Sequence, residues 1–493
     1  MLTGLLEALS LTNLTYIASG SVLGLIIGAA PGLGPVFGLA LFLSMTFTMT
    51  PAGAIIFMAS LYASCVYGGS ITSILLNTPG TPGNVATCFD GYAMTKKGEA
   101  GRALGISTLS SFIGGIVGVM ALLLLGPFLA RASLLIGPSE FFLLALTGLL
   151  LVALASKGNT IKGIIMCGLG LMLSFVGRSI VTGERRFYFG TVYLEDGIQF
   201  VPVVIGAFAF AQILVLANEF GAISGLHKNV RGFWKGCRDV LHAPVTVIRS
   251  AILGTLIGIM PGLGINAANF IAYVVEKNAS KDPESFGTGN PKGLMAPETA
   301  NNACTTAALI PAFGLGVPGS ASAALFLSAL MIHGLQPGYS FYNNNGNLFG
   351  TIIWGMLLAQ LAFFVLGAAG AKYFAKITQV PNSMLVPIIM ILCFVGSYSY
   401  RAELMDVVVM LAAGIAGYYL QKLKYPLACL ILGMILGNLA EDNFSRAMLL
   451  SRNSLSIFFT RPISLVLVVL IIVSFGYPVI KQYFKKKTSS KVT

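Results

Sequence analysis

Charge is what this chain lacks most. Only 10% of its 493 residues are Asp, Glu, Lys or Arg, while 56% are hydrophobic; a soluble domain carries about 25% charged residues. No Lys or Arg occurs between Met1 and Lys96, and none between Lys292 and Lys372. Stretches of that kind cannot make a water-facing surface. Cysteine and histidine are sparse too. Seven cysteines (Cys65, Cys88, Cys167, Cys237, Cys304, Cys393 and Cys429) are scattered with no CxxC, and the three histidines are dispersed. That leaves neither a disulfide frame nor a transition-metal site. HExxH and GxSxG are missing, so the usual grounds for reading an enzyme are gone, and no cofactor is expected. The first 20 residues contain no Lys or Arg and include Glu7, unlike a cleaved signal peptide.

What is present is apolar sequence in lengths of about 20 residues, each enough to cross a bilayer. The expected class is an all-α polytopic membrane protein with about 11 transmembrane helices (range about 10–14). The net charge of +13 does not call for nucleic acid. Lys and Arg gather in short loops and in the tail KQYFKKKTSSKVT, as the positive-inside rule expects. Glycine, with 58 residues, suits close helix packing and broken helices.

An internal repeat organises the chain. VLGLIIGAAPGLG (22–34) aligns with ILGTLIGIMPGLG (252–264) with eight identities in thirteen, and Pro79-Gly80-Thr81 has its counterpart in Pro318-Gly319-Ser320. Residues 1–220 form the first repeat, with a PGLG break at 31–34 and a re-entrant Pro-Gly hairpin at about 63–95. A basic linker covers 221–249, and the second repeat 250–480 has its break at 261–264 and its hairpin at about 297–336; 481–493 is a basic tail. The segment before the second copy carries Lys228, Arg231, Lys235, Arg238 and Arg249, whereas nothing basic precedes the first. The copies are therefore expected to be inverted, with the N-terminus periplasmic and the linker and tail cytoplasmic. By the same asymmetry Cys237 is expected on the cytoplasmic side and Ser285 on the periplasmic side, and finding both on one side would count against the inverted repeat.

A helix does not run through Pro79-Gly80-Thr81-Pro82-Gly83. Unpaired backbone costs several kcal/mol in lipid, so a break survives there only against protein or a wet cavity. Paired breaks in two inverted halves point to a transport site: helix N-termini and bare N–H groups suit an anion, bare carbonyls a cation such as sodium. The candidate substrate residues are Asn77, Thr78, Pro79, Gly80, Thr81 and Asn84 on the first break, and Asn301, Asn302, Pro318, Gly319, Ser320 and Ser322 on the second. The candidate sodium ligands are Gly32, Leu33, Gly34, Asn77, Gly262, Leu263, Gly264, Asn266 and Asn302. Asp90 and Glu298 are acids in apolar surroundings and so candidates for a charged role. Gly319 is expected where backbones approach closely. Each polar residue has a plainer alternative as interhelical glue.

The segments PGLGP, YGGSITSILLNTPGTPGN…FDGYAMTKKGEAGRALGIS and APETANNACTTAALIPAFGLGVPGSASAALFLSALMIHGLQPG resemble the large membrane subunit of the tripartite tricarboxylate transporter family, over nearly the whole chain. Thr81-Pro82-Gly83 departs from the more variable, often acidic or serine-bearing stretch expected there. The resemblance implies a secondary transporter of the bacterial inner membrane. It implies two partners, a small four-helix membrane subunit and a periplasmic solute-binding protein. It also implies import of carboxylates such as citrate, with sodium as the expected coupling ion. An elevator-like movement carrying both breaks together is expected by likeness to other hairpin transporters, with helices at 198–217 or 425–440 as scaffold. The alternatives are a stand-alone anion transporter or exchanger, and a channel.

Overall fold

A computed structural model describes residues 2–30, 32–155, 160–179, 182–218, 231–260, 264–374 and 382–473. The basic tail 481–493 and the first part of the linker, to 230, lie outside the described residues. The described residues are helical almost throughout. Beyond short helical turns, one two-residue β-hairpin pairs Gly177–Arg178 with Arg185–Arg186. In chain order the helices are α1 (Leu2–Ala8), α2 (Leu11–Ala29), α3 (Gly34–Leu43), α4 (Pro51–Leu76), α5 (Val85–Lys96) and α6 (Ala100–Ala132). Next come α7 (Pro138–Ala155), α8 (Thr160–Ser174), α9 (Val192–Glu195), α10 (Phe200–Val204), α11 (Ala211–Asn218) and α12 (Phe233–Leu241). The second half holds α13 (Pro244–Ile259), α14 (Gly264–Ala279), α15 (Pro291–Ala307), α16 (Leu309–Leu315), α17 (Ala321–Ile332), α18 (Tyr339–Asn344) and α19 (Gly346–Phe374). Last are α20 (Asn382–Arg401), α21 (Leu404–Lys422), α22 (Leu427–Leu450) and α23 (Ile457–Thr460).

Eight of the described helices are long and apolar enough to cross a membrane, or nine if the pair α12–α13, bent by 82°, forms one span. Five shorter apolar helices accompany them, among them Gly34–Thr48 and Ala321–Ile332. The sequence suggests about 11 crossings; half-helices that meet at a break account for much of the difference.

Two compact units emerge. The smaller comprises 131–200 and 420–493. In it α22 packs on α7 and α8 through glycine: a methyl group on Gly170 would sit 2.1 Å from Leu430 O, and one on Gly433 2.5 Å from Cys167 O. Buried Glu140 is held there by Arg461 Nη1 at 3.0 Å and Ser464 Oγ at 2.7 Å.

The larger unit, 1–130 and 201–419, contains every break. Glycines on α2 let its backbone touch α4. A methyl on Gly20 would fall 2.7 Å from Phe57 O, on Gly24 2.4 Å from Leu61 O, and on Gly28 2.0 Å from Cys65 O. These contacts advance together, so α2 and α4 run parallel, and α3 is the return stroke between them. The same pattern recurs 230–239 residues later: Gly254 meets Ala300 O at 2.3 Å and Gly258 meets Cys304 O at 2.8 Å. So α13 and α15 are parallel, and α14 returns between them, with Thr246 near the start of α13 donating to Glu276 near the end of α14 at 2.8 Å. Gly34 and Gly264, which open the two return helices, have matching left-handed φ of 61° and 63°. The chain reverses between α2 and α3 and again between α13 and α14, and the left-handed φ at Gly34 and Gly264 is one that a residue with a Cβ resists.

This overturns the expected separation of Cys237 and Ser285. Gly289 lies against Met94 and Ala93, while Gly236 on α12 lies against Arg102 O. Both loops therefore sit at one end of the bundle, beside the α5–α6 turn. Lys277, Lys281 and Lys292 join Lys96, Lys97, Arg102, Lys235 and Arg238 at that end.

The Pro-Gly breaks behave differently. The re-entrant stretch is confined to 77–83: Asn77 ends α4 in the left-handed region at φ 58°, and Gly80 N returns to donate to Gly69 O at 3.3 Å. Asn84 lies beside Val66 and Ser70, and Thr95 beside Ile74, so α5 then resumes the direction of α4. Across the two halves the helices oppose. Ser70 on α4 meets Glu298 on α15, while Ala59 and Tyr62 line one cavity with Thr305 and Leu309.

Candidate functional site

The first Pro-Gly segment rests on the last turn of α2. A methyl on Gly80 would fall 2.2 Å from Gly28 O and 2.6 Å from Gly69 Cα, so only glycine fits. Thr81 Oγ1 donates to Asn84 Oδ1, while Asn84 Nδ2 donates to Ser70 Oγ at 2.7 Å and Val66 O at 3.3 Å. Asn84 is thus spent on bracing its own turn. Thr78 is half-buried and donates to Leu76 O at 3.4 Å, Pro79 is half-buried, and Asn77 is exposed at the end of α4.

Facing this turn are amides of the second half. A methyl on Gly83 would touch Asn301 Oδ1 at 3.1 Å and Ile265 at 3.1 Å. Asn269 Oδ1 accepts from Ala86 N at 3.0 Å, and its Nδ2 has no partner. Both amide atoms of buried Asn301 lack a partner, as does Asn302 Oδ1. Buried polar atoms are nearly always paired, so this group stands out. Asn269 was not among the residues singled out by sequence; Asn266, one helical turn earlier, is exposed.

The second Pro-Gly segment is apart from the first. Gly319 faces Gly258 O and Ala308 O at 3.6 and 3.7 Å for an added methyl, which is ordinary contact. The close approach expected there is absent; it occurs at Gly80. Ser320 caps α17 by accepting from Ala323 N at 3.1 Å, and Pro318 and Ser322 are buried. Asn301, at the first segment, and Ala308, at the second, are separated by about 10 Å along a helix rising 1.5 Å per residue.

Of the PGLG residues, Gly32 is exposed with φ 85° and a methyl on it would meet Gln212 Nε2 at 3.3 Å; Leu33 is buried, and Gly34 faces Pro82 at 4.0 Å. Gly264 opens α14; Gly262 and Leu263 lie outside the described residues. Gln212 follows a π-helical turn at Ile205–Phe210, a local widening often found at functional sites.

The two acids differ. Asp90 accepts from Gly287 N at 2.9 Å, Gly289 N at 2.8 Å, Asn290 N at 2.7 Å and Tyr273 OH at 3.0 Å. Gly287 and Gly289 have φ of 87° and 103°, which turns successive N–H groups inward. Asp90 is a clasp between the halves. Glu298, fully buried, accepts from hydroxyls: Ser70 at 2.7 Å, Ser107 at 2.7 Å, Ser111 at 2.9 Å, and Thr87. Ser107 and Ser111 are four apart on α6, a spacing legible in GISTLSS once α6 is known to face α15.

No solved structure matches this chain. It is 37% identical over 462 residues, covering 94% of this chain and 92% of the relative, to an uncharacterized 52.8 kDa protein in the TAR-I ttuC' 3' region of Agrobacterium vitis. A second uncharacterized protein, from the TAR-II ttuC' 3' region of the same organism, is 37% identical over 211 residues, 43% of this chain and 87% of the relative. The family model that matches, the tripartite tricarboxylate transporter TctA family, spans residues 14–432. That span covers most of the sequence, opposed helix sets and breaks included: this chain belongs to the tripartite tricarboxylate transporter TctA family.

Proposed function

We propose that this chain is the large subunit of a binding-protein-dependent importer of citrate-like carboxylates, coupled to sodium. It works with a small four-helix membrane subunit and a periplasmic binding protein. It resides in the bacterial inner membrane, with the basic end of the larger unit cytoplasmic and the N-terminus periplasmic. Counted by Lys and Arg, that end is strongly basic, which supports the orientation. The two opposed sets of helices support the inverted-repeat reading.

The observation that carries the proposal is the turn Gly80–Asn84 facing Asn301, both of whose amide atoms are unpaired, with the unpaired Nδ2 of Asn269 beside it. It offers amides and backbone, and no Lys or Arg, to a ligand. An isolated carboxylate loses heavily on leaving water, so a cation must accompany the anion. Both Pro-Gly segments belong to the same compact unit, so an elevator movement would carry them together; the helix expected as scaffold at 198–217 belongs largely to that unit as well. The test is uptake by proteoliposomes holding both membrane subunits, with the binding protein added, across a panel of carboxylates with and without a sodium gradient. Citrate-class uptake that needs the gradient is expected. Uptake indifferent to sodium, or dispensing with the binding protein, would sink the reading.

A further inference from the structure

We infer that Glu298, with the hydroxyls of Ser70, Thr87, Ser107 and Ser111 and the amide oxygen of Asn302, forms a binding site for the coupling sodium ion. The inference rests on the sodium-coupled reading above and assigns its ion to a place none of the breaks predicts.

Three observations converge. The first is charge. Glu298 is fully buried, and among the described residues no Lys, Arg or His is hydrogen-bonded or ion-paired to it. The nearest cation along α6, Arg102, is engaged by Glu99 and Asp239 at 3.0 and 2.6 Å. A buried carboxylate retained without a cationic partner calls for a positive charge from elsewhere.

The second is the behaviour of the hydroxyls. In a helix a Ser or Thr hydroxyl commonly donates to the carbonyl one turn back. Ser73, Thr108, Thr299 and Thr305 do so on these same helices. Ser70, Thr87, Ser107 and Ser111 instead converge on Glu298 from α4, α5 and α6. Hydroxyl oxygens that give their protons to a carboxylate keep lone pairs, and a ring of such oxygens around an anion is the ligand set a hard monovalent cation takes.

The third is an unpaired acceptor. Asn302 lies four residues after Glu298, on the same face of α15. Its Nδ2 reaches Glu298 O at 3.5 Å, while its Oδ1, 1% exposed, has no donor. An amide oxygen left unpaired one helical turn from Glu298 is available as a further ligand to a cation held there. Because the ligands come from both halves, the ion would close α4, α5 and α6 upon α15, beside the turn that faces Asn301. Filling the site would then favour anion binding there, and the anion would tighten sodium by the same factor.

The experiment uses the full chain co-purified and reconstituted with its small subunit, with the periplasmic binding protein and citrate supplied. Sodium chloride is titrated against choline chloride while uptake and thermal stability are followed for wild type, Glu298→Gln and Ser111→Ala. Glu298→Gln should lose the sodium-dependent rise in melting temperature. Ser111→Ala, which leaves the carboxylate and three hydroxyls, should raise half-saturating sodium by about tenfold, the scale on which loss of a supporting ligand acts. It keeps the test alive if Glu298→Gln does not assemble. Sodium-dependent wild-type uptake with unchanged half-saturation in Ser111→Ala overturns the assignment alone. Wild-type uptake that responds to protons and not to sodium overturns the coupling reading, and this site with it.

Discussion

Gly80→Ala tests the packing of the first Pro-Gly segment directly. The new methyl would fall 2.2 Å from Gly28 O, 2.6 Å from Gly69 Cα and 2.8 Å from Thr72 Oγ1. Two of these three atoms are backbone of α2 and α4, so no rotamer change relieves the clash. Overpacking of this sort costs about 1–3 kcal/mol. Pushing the turn outward also breaks the Gly80 N–Gly69 O bond of 3.3 Å, worth about 1 kcal/mol net. The expected loss is about 2–4 kcal/mol. It should appear as a melting temperature lower by several degrees in the purified two-subunit complex, and as uptake near background in proteoliposomes. The internal control is Gly319→Ala at the matching break. There the nearest atom is 3.6 Å away, so stability should change by no more than about 0.5–1 kcal/mol and uptake should persist. Wild-type melting and uptake in Gly80→Ala would refute the reasoning, as would equal damage at the two glycines.

Three further outcomes are expected. Asp90→Asn replaces an acceptor-only carboxylate with a group whose NH2 faces backbone donors at 2.7–2.9 Å; the complex should lose about 2–3 kcal/mol in denaturant melts, and no loss would remove the clasp. In a cysteine-free background, His242→Cys and Ser285→Cys should label with an impermeant thiol reagent from the same, cytoplasmic side; labelling from opposite sides would contradict the turn-back at the second PGLG segment. Asn269→Ala removes an acceptor for Ala86 N at 3.0 Å and an unpaired donor, so it should weaken carboxylate binding about tenfold or more while both subunits still co-purify; unchanged affinity would move the site away from α14.

Much of this was legible in sequence, for reasons that can be named. The PGLG glycines demand left-handed backbone, and Gly34 and Gly264 adopt it at nearly identical φ. The matched glycines Gly24 and Gly254 both serve contact between parallel helices, so the repeat survived as a packing requirement. Direction was not legible. A proline-glycine break reads alike whether the chain turns back or resumes; the pairing of Thr246 and Arg249 with Glu276 settles it for α13 and α14. The ligands of Glu298 were hidden by distance, since Ser70, Thr87, Ser107 and Ser111 lie 187–228 residues away in sequence. Asn266 and Asn269 differ by one helical turn in sequence, yet Asn266 is exposed and Asn269 buried. Facing, which depends on the partner helix, decided between them.

The turn-back between α13 and α14 bears on how the protein is made. The returning helix carries Asn266, Asn269, Glu276 and Lys277, too polar to enter lipid by itself. The partners of α13 arrive late: Ala300 and Cys304, on which it closes, are each synthesised 46 residues after Gly254 and Gly258. A ribosome that has reached residue 285 has therefore exported a helix with nothing to shield it. Nascent chains halted there should keep α13 and α14 crosslinkable to the translocon, and those halted well beyond Leu315 should release them. Insertion would thus proceed in blocks of three helices, with the glycine-lined helix held until its parallel mate emerges.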